Sequence, residues 1–558
     1  MLASMLVLTS CFKDEGNYDY DEMNPPHWLY DQNSPSVIYA RAGEEAVFDA
    51  DKLFVWDNDS AQREKEVRYE WILNGKVVGE GKTFKMASAD LMKAADVKEY
   101  TSSGAGGTPG VCAVIEKSTG VKYMGRIQVY FTEKYTSDNW FVLTEKNAET
   151  AIAALCKKTV TENGVKKENY EVTQDAYAEA NEGKKIPGRP IAMNWAYDKH
   201  VGSQGSITII TDQGGFELSA SDMSLYSQIY GEQFLDGTPA NFSLVARADC
   251  DADGMSVPAT FLAGADGRIF SRVMSKNYLG GKYLTEPYFV DEKGYKVTKF
   301  GNTLYGTRMI PCYDEKNRRI MIASVNTRQE VVDGEYIMLS TTSLKPLLEP
   351  SPKVSVQAMP EGTEVLYLGV TNHVPNYTRG CIHYTMVYNL PGEAHTRVSD
   401  FSVYVSTSTT NTSDNFSSSF LLENAPKLSA SSKILSSGAT QRGSYPGTAF
   451  SGKVLYYSVN NQLYYVHRTP AAGKPQQNEL KKFEMPEGVS ITSPISCLAL
   501  SPLYCDELLV GCENGDLFII NVNVLDDPEL VYKCNLGGKV MAAQQLGGRA
   551  PSADRFNN

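Results

Sequence analysis

Asp249-Cys250-Asp251-Ala252-Asp253-Gly254 sets three carboxylates at alternate positions before a glycine, a spacing that can wrap a loop around one calcium ion. In a helix-flanked calcium loop the twelfth position is Glu, but here it is Thr260 and the flanking residues read as strand. Two readings stay open: a structural calcium site on Asp249, Asp251 and Asp253, or an Asp-rich solvated turn. Spacings that support catalysis are scarce. The six histidines (His27, His200, His373, His383, His395 and His467) form no His-Glu-x-x-His, no i, i+4 pair and no partner to a nucleophile elbow. No sialidase-type Ser-x-Asp-x-Gly-x-Thr-Trp box occurs, and an acid–base pair among the 66 Asp and Glu would meet only in space. The ten cysteines are scattered and contain no Cys-x2-Cys pair, which argues against zinc. Most are expected to be buried free thiols, with one disulfide among Cys497, Cys505, Cys512 and Cys534 as the alternative.

Cys11 is defined by its neighbours. Met1 to Leu8 is apolar, and Leu8-Thr9-Ser10-Cys11 resembles the lipobox of a bacterial lipoprotein signal peptide. The resemblance implies that residues 1–10 are removed and that Cys11 carries acyl chains. Each buried CH2 of such a chain contributes about 0.8 kcal/mol, and stable anchoring takes more than one chain. Lys13, Asp14 and Glu15 resemble the export signal of Bacteroidetes lipoproteins sent to the outer face of the outer membrane, which implies a lipid-anchored, surface-exposed location. The acidic stretch Asn17 to Glu22 and Pro25-Pro26 read as a tether spanning residues 11–35.

A chain of 558 residues accommodates two or three domains, and 42% hydrophobic residues can build their cores. No apolar run reaches the roughly 18 residues of a membrane-spanning helix. The net charge of -13, with no Lys/Arg cluster, excludes a nucleic-acid face.

After the tether the sequence reads as all-β. Its 33 tyrosines and many β-branched residues sit in short alternating runs punctuated by Gly, Asn and Asp. Val67, Tyr69, Trp71 and Leu73 alternate with Arg68, Glu70 and Ile72, Asn74-Gly75 supplies a two-residue hairpin turn, and Val77-Val78 starts the return. Val111 to Ile115 and Val121 to Phe131, joined through Ser118-Thr119-Gly120, form a second hairpin. Residues 36–133 thus suit an immunoglobulin-like sandwich. The Tyr-x-Trp-x-x-Asn-Gly run resembles the PKD-like domains of Bacteroidetes surface lipoproteins, as does the opening Cys-Phe-Lys-Asp-Glu-Gly-Asn-Tyr-Asp-Tyr. Asp59-Ser60-Ala61 also resembles a Bacteroidetes O-glycosylation acceptor.

Residues 134–546 repeat one design of strand, tight turn and strand with paired apolar or aromatic residues, leaving 547–558 as a tail. Ser206 to Leu218, Phe261 to Phe270, Leu455 to Val466 and Leu508 to Ile520 show it clearly; Phe141 to Ala153, Ile320 to Met338 and Tyr384 to Val398 show it weakly. Turns near 147, 214, 266, 327, 392, 461 and 514 predict a β-propeller of seven blades. Pro190 to Trp195 and Pro494 to Ala499 read as inner strands. Lys539 to Leu546 reads as an inner strand without a hairpin, and Trp140 to Leu155 as a hairpin without an inner strand. Pairing the two would close the ring and remove its exposed edge. Ser406 to Ser419 reads as an exposed, mobile low-complexity loop.

A propeller of this kind presents loops around a central funnel, and Asn194, Trp195, Tyr197, Tyr226 and Tyr230 are the residues proposed to stack on or bond a ligand. The family resemblance implies a non-catalytic accessory protein that captures an oligosaccharide or peptide beside a SusC/SusD-type transporter and neighbouring lipoproteins. It implies no cofactor beyond a structural calcium. The alternatives are a propeller-type surface hydrolase and a structural or adhesive lipoprotein.

Overall fold

The computed structural model describes residues 25–546 except positions 32, 99, 137, 230 and 333 and segments 101–105, 163–164, 197–203, 251–258, 274–280, 303–308, 349–355, 372–380, 406–409, 437–453, 470–476 and 503–504. Cys11, Lys13, Asp14 and Glu15 lie outside the described residues. The chain divides into two compact units, residues 1–134 and 135–558.

In the smaller unit the alternation of Val67 to Leu73 buries Val67, Tyr69, Trp71 and Leu73. That strand sits in a five-stranded sheet ordered Ser36–Arg41, Lys122–Thr132, Thr108–Glu116, Val67–Leu73, Lys76–Glu80. Glu45–Asp49 and Thr83–Ala87 form a separate pair whose Phe48 lies 5.1 Å from the Trp71 ring. The Trp71 indole N–H donates to the Gly81 carbonyl at 2.9 Å, so the most buried aromatic leaves no polar atom unmet. Asn74 and Gly75 have φ of 47° and 76°, the left-handed pair that a two-residue hairpin turn requires.

The larger unit is built from antiparallel sheets of three or four strands, seven among the described residues. Sheet A contains Trp140–Lys146, Glu149–Glu162 and Val165–Thr173, and sheet B runs from Pro190–Ala196 through Ser206–Thr211 and Gly214–Ser219 to Leu225–Gln228. Sheet C contains Leu244–Cys250, Ala259–Gly264 and Ile269–Val273, and sheet D Met309–Asp314, Arg319–Val332 and Glu335–Pro346. Sheet E is Glu364–Val370, Cys381–Asn389, Arg397–Val405 and Thr410–Leu421. Sheet F is Ile434–Ser436, Val454–Val459, Gln462–Thr469 and Gln477–Lys482, and sheet G is Ile495–Leu500, Glu507–Cys512, Asp516–Asn521 and Glu529–Asn535.

The last strand, Lys539–Gln545, returns to sheet A and pairs antiparallel with Trp140–Lys146, Val142 facing Ala543. The first strands of successive sheets touch in order from B through G, and Lys539–Gln545 touches the first strands of both G and B. A separate hydrophobic cluster fills each junction. Ile207 and Phe141 join A to B, and Ile210 and Phe270 join B to C. Phe261 and Met321 join C to D, and Ile322 and Tyr384 join D to E. Val387 and Tyr457 join E to F, Tyr456 and Val510 join F to G, and Leu509 and Trp140 join G to A.

The G–A junction carries more than apolar contact. Glu507, in sheet G, is buried, and its carboxylate accepts from Trp140 Nε1 at 3.2 Å, Lys157 Nζ at 2.9 Å, Tyr170 Oη at 2.8 Å and Gln545 Nε2 at 3.3 Å. Those donors come from all four strands of sheet A. Gly511 faces Val540 so closely that any Cβ there would collide with the valine side chain.

Two expectations need correction. The turn expected near 327 falls inside the continuous strand Arg319–Val332; the chain turns at 315–318 instead. That turn has no glycine: Asp314 accepts from the backbone N–H groups of Lys316 and Asn317, and Arg318 takes φ 54°. Residues 410–419, expected in a mobile loop, belong to the strand Thr410–Leu421 paired with Arg397–Val405. Polarity suggested a loop, but Thr is a good strand former and the backbone pairing with Arg397–Val405 makes this segment a strand.

Replacing Glu507 by Leu removes the acceptor shared by Trp140, Tyr170, Gln545 and the Lys157 ammonium, of which Lys157 keeps Glu168 at 2.8 Å. Losing one partner of such a buried pair costs about 3–5 kcal/mol, and the lower end applies because Lys157 is partly solvated. Denaturant unfolding should show a midpoint drop of that size. A change under about 1 kcal/mol would mean that Glu507 does not hold the junction.

Candidate functional site

The first strands of sheets B, C, E, F and G and the last strand, Lys539–Gln545, line a cavity of about 880 Å³. Its wall includes Ile191–Ala196 of sheet B, Val245–Cys250 of sheet C, Tyr367 of sheet E, Lys433–Ser436 before and within sheet F, Ser496–Leu500 of sheet G and Met541–Gln545 of sheet A. Beside sheet D the wall is Thr298–Asn302. This segment bridges to sheet D through Phe300 and Cys312 and to sheet E through Asn302 and Gly369.

In the strand Leu244–Cys250, Arg247 and Asp249 are two residues apart and so share one face. Arg247 donates through Nε and Nη2 to Asp249, and through Nη1 to Glu217 at 2.8 Å and to Thr208. Arg272 reaches the same Glu217 oxygen at 3.0 Å and lies 4.6 Å over the Tyr283 ring. Two guanidinium groups thus face two carboxylates across the B–C junction. Burial alone would push the Glu217 carboxyl up; Arg272 and Arg247 outweigh it and hold it down, at about 2. Burial also pushes the Tyr283 hydroxyl up to about 12.

Asp249 takes two further donors, Asn194 Nδ2 at 2.6 Å and Thr260 Oγ1 at 2.7 Å. Its oxygens are therefore engaged by three neighbouring side chains. Gln544 Oε1 accepts from the Trp195 backbone N–H at 3.1 Å, linking the last strand to sheet B. Tyr367 Oη accepts from the Ser436 backbone N–H at 3.1 Å, and burial pushes this hydroxyl up to about 12.

Of the residues proposed from sequence, Asn194 lines the cavity and bonds Asp249. Trp195 contributes to the wall, but its indole is only 6% exposed, packs with Ile209 and Phe141, and donates Nε1–H to the Gln204 carbonyl at 2.8 Å. That side chain is core rather than a stacking surface. Tyr226 is exposed on the strand of sheet B farthest from the cavity. Tyr197, Tyr230, Asp251 and Asp253 lie outside the described residues. Among the described residues no three His, Cys, Asp or Glu side chains converge as a metal site would need.

Sequence reasoning missed Glu217, Arg247, Lys299 and Lys433. A signal existed for Arg247: Arg and Asp alternate inside an otherwise apolar strand, which puts a charged pair on one face. Nothing local marks Lys299 or Lys433, whose place depends on how distant strands assemble. Cys497, Cys505, Cys512 and Cys534 are all free thiols, and burial pushes Cys497 up to about 12.

Residues 11–190 match the PKD-like family. No curated protein matches the chain. Among solved structures, the chain is similar to the β-propeller domain of Cps50 (Swd1) from Myceliophteria thermophila, at 10% identity and TM-score 0.34, over 63% of this chain and 88% of that one. It is similar to AztD from Citrobacter koseri at 11% identity and TM-score 0.35, over 79% and 96%. It is also similar to the periplasmic gluconolactonase PpgL of Pseudomonas aeruginosa at 11% identity and TM-score 0.28, over 81% and 98%. The architecture described above rests on the strand pairing itself.

Glu217→Gln leaves two buried guanidinium groups facing one carboxylate and should cost about 3–5 kcal/mol at neutral pH. A depressed carboxyl stabilises the fold fully above its ordinary value of 4.5, and that contribution is lost as pH falls toward about 2. The difference in denaturant midpoint between wild type and variant should therefore narrow steadily across that window. A difference that stays constant would contradict the assigned pairing.

Proposed function

We propose that this chain is a lipid-anchored protein of the outer-membrane surface that captures an oligosaccharide or peptide, without transforming it, for a SusC/SusD-type import system and its neighbouring lipoproteins. The PKD-like match over residues 11–190 supports the placement of the smaller unit as a spacer or docking surface. In this reading Cys11 carries the acyl chains, residues 11–35 form the tether, and residues 134–546 form a seven-bladed propeller. The propeller is closed where Trp140–Lys146 pairs with Lys539–Gln545.

The cavity carries the proposal. At about 880 Å³ it lies within the size range of small-molecule sites, roughly 300–1,000 Å³. Its walls mix apolar side chains such as Leu498 and Met541 with a few polar groups, which suits reversible recognition. Asp249, the carboxylate among its described lining residues, is already bonded by Arg247, Asn194 and Thr260. An engaged carboxylate of this kind favours binding over acid–base chemistry. Any calcium held by Asp249, Asp251 and Asp253 is structural in this reading.

Metabolic labelling with a clickable fatty acid, followed by affinity purification from detergent-solubilised membranes, tests the reading. Wild type should carry the label and retain a SusC/SusD-type pair, and Cys11→Ser should lose both label and membrane association. An unlabelled wild type, absence of any transporter, or cleavage of polysaccharide or peptide by the purified chain would overturn the corresponding part.

A further inference from the structure

We infer that the central cavity selects ligands bearing carboxylate groups, with Lys299 and Lys433 as the side chains that recognise them. The inference rests on the capture reading above and narrows it to a ligand chemistry. The chain as a whole is acidic, with net charge -13, yet the described lining of this cavity is not. Arg247 is matched by Asp249 and Glu217, so its charge is spent inside the wall. Lys299 and Lys433 also line the cavity, and neither ammonium has a carboxylate partner among the described residues.

Each lysine holds the same position in its sheet. Lys433 immediately precedes Ile434–Ser436, the first strand of sheet F, and Lys299 immediately precedes Phe300, which takes the inner place beside sheet D. Lys433 is half-buried and Lys299 is exposed. Glu315, the acidic group that feels Lys299, already takes Lys296 Nζ at 2.9 Å and Thr298 Oγ1 at 2.5 Å. Gln544 adds a third donor: its Oε1 is taken by the Trp195 N–H, and its Nε2 has no acceptor among the described residues.

Two ammonium groups and an amide N–H on one cavity lining suit a group that only accepts, and an ionised carboxylate is such a group. Arg247, Lys299 and Lys433 outnumber Asp249 on the described lining, so the excess positive charge there attracts anions. The apolar side chains of Ile191, Leu498 and Met541 between the donors favour an organic anion with a carbon body over an inorganic ion. Uronic-acid sugars and acidic peptides both present carboxylates in this form.

Isothermal titration of the full chain with trigalacturonate, triglutamate, maltotriose and triglycinamide tests the inference and separates the two sources. At least one acidic probe should bind about tenfold more tightly than its neutral counterpart, and should weaken several-fold between about 50 and about 500 mM NaCl. Lys299→Gln and Lys433→Gln should each weaken that probe several-fold, whereas Lys→Arg at either position should preserve binding. The Arg variants report a lost charge separately from a lost fold. Neutral probes binding as tightly as acidic ones, or acidic binding that ignores both Gln substitutions, would overturn the inference and leave the capture reading standing. Binding of no probe would also overturn it; the capture reading itself fails if the transporter does not co-purify or the purified chain cleaves polysaccharide or peptide.

Discussion

Four strands converge on the carboxylate of Glu507. Trp140, Lys157, Tyr170 and Gln545 donate to it from the strands of sheet A, three from the start of the larger unit and one from its end. Much else depends on this contact, because it is where the first and last strands of the larger unit pair. Apolar packing brings the strands together but is indifferent to register. A carboxylate that must satisfy donors from all four strands is not, since sliding any one of them strands a buried polar group. The wall residues Met541–Gln545 belong to the strand fastened here, so the cavity inherits its shape from the same junction.

Buried charge serves other junctions in the same way. Arg247 and Arg272 meet Glu217 between sheets B and C, and Arg468 of sheet F, 1% exposed, meets Asp400 and Thr385 of sheet E. Desolvation makes such pairs weak sources of net stability. Their value is directional: each fixes which sheet stands beside which and at what height, while the apolar clusters supply most of the favourable free energy. At the cavity, pairing inside the wall cancels the charge of Arg247 and leaves Lys299 and Lys433 to set the character of the interior.

Elements with short-range signals were legible in the sequence. Asn74-Gly75 announced its hairpin because a two-residue turn needs left-handed φ at both positions, the period-2 run at Val67–Leu73 announced its strand, and so did the short β-branched run Ile207–Thr211. The turn at 315–318 was hidden because it uses an Asp side chain and a left-handed Arg in place of glycine. Thr410–Leu421 was hidden because its run of Thr, Ser, Asn and Asp has no apolar alternation to display. The site was harder still. Asn194 was found as a polar residue on an inner strand, but Trp195 had the aromatic type without the exposure. Lys299 and Lys433 are 134 positions apart and come to line one cavity only through the sheet order, a long-range fact that no local pattern encodes.

The central claim is that the two ends of the larger unit form one cooperative element around the cavity. Native-state hydrogen exchange measures this directly, because it assigns an opening free energy to each strand. The account predicts that the amides of Lys539–Gln545 and Trp140–Lys146 open with the same free energy as those of Glu507–Cys512. A last strand that exchanges like a frayed terminus while Glu507–Cys512 stays protected would contradict it.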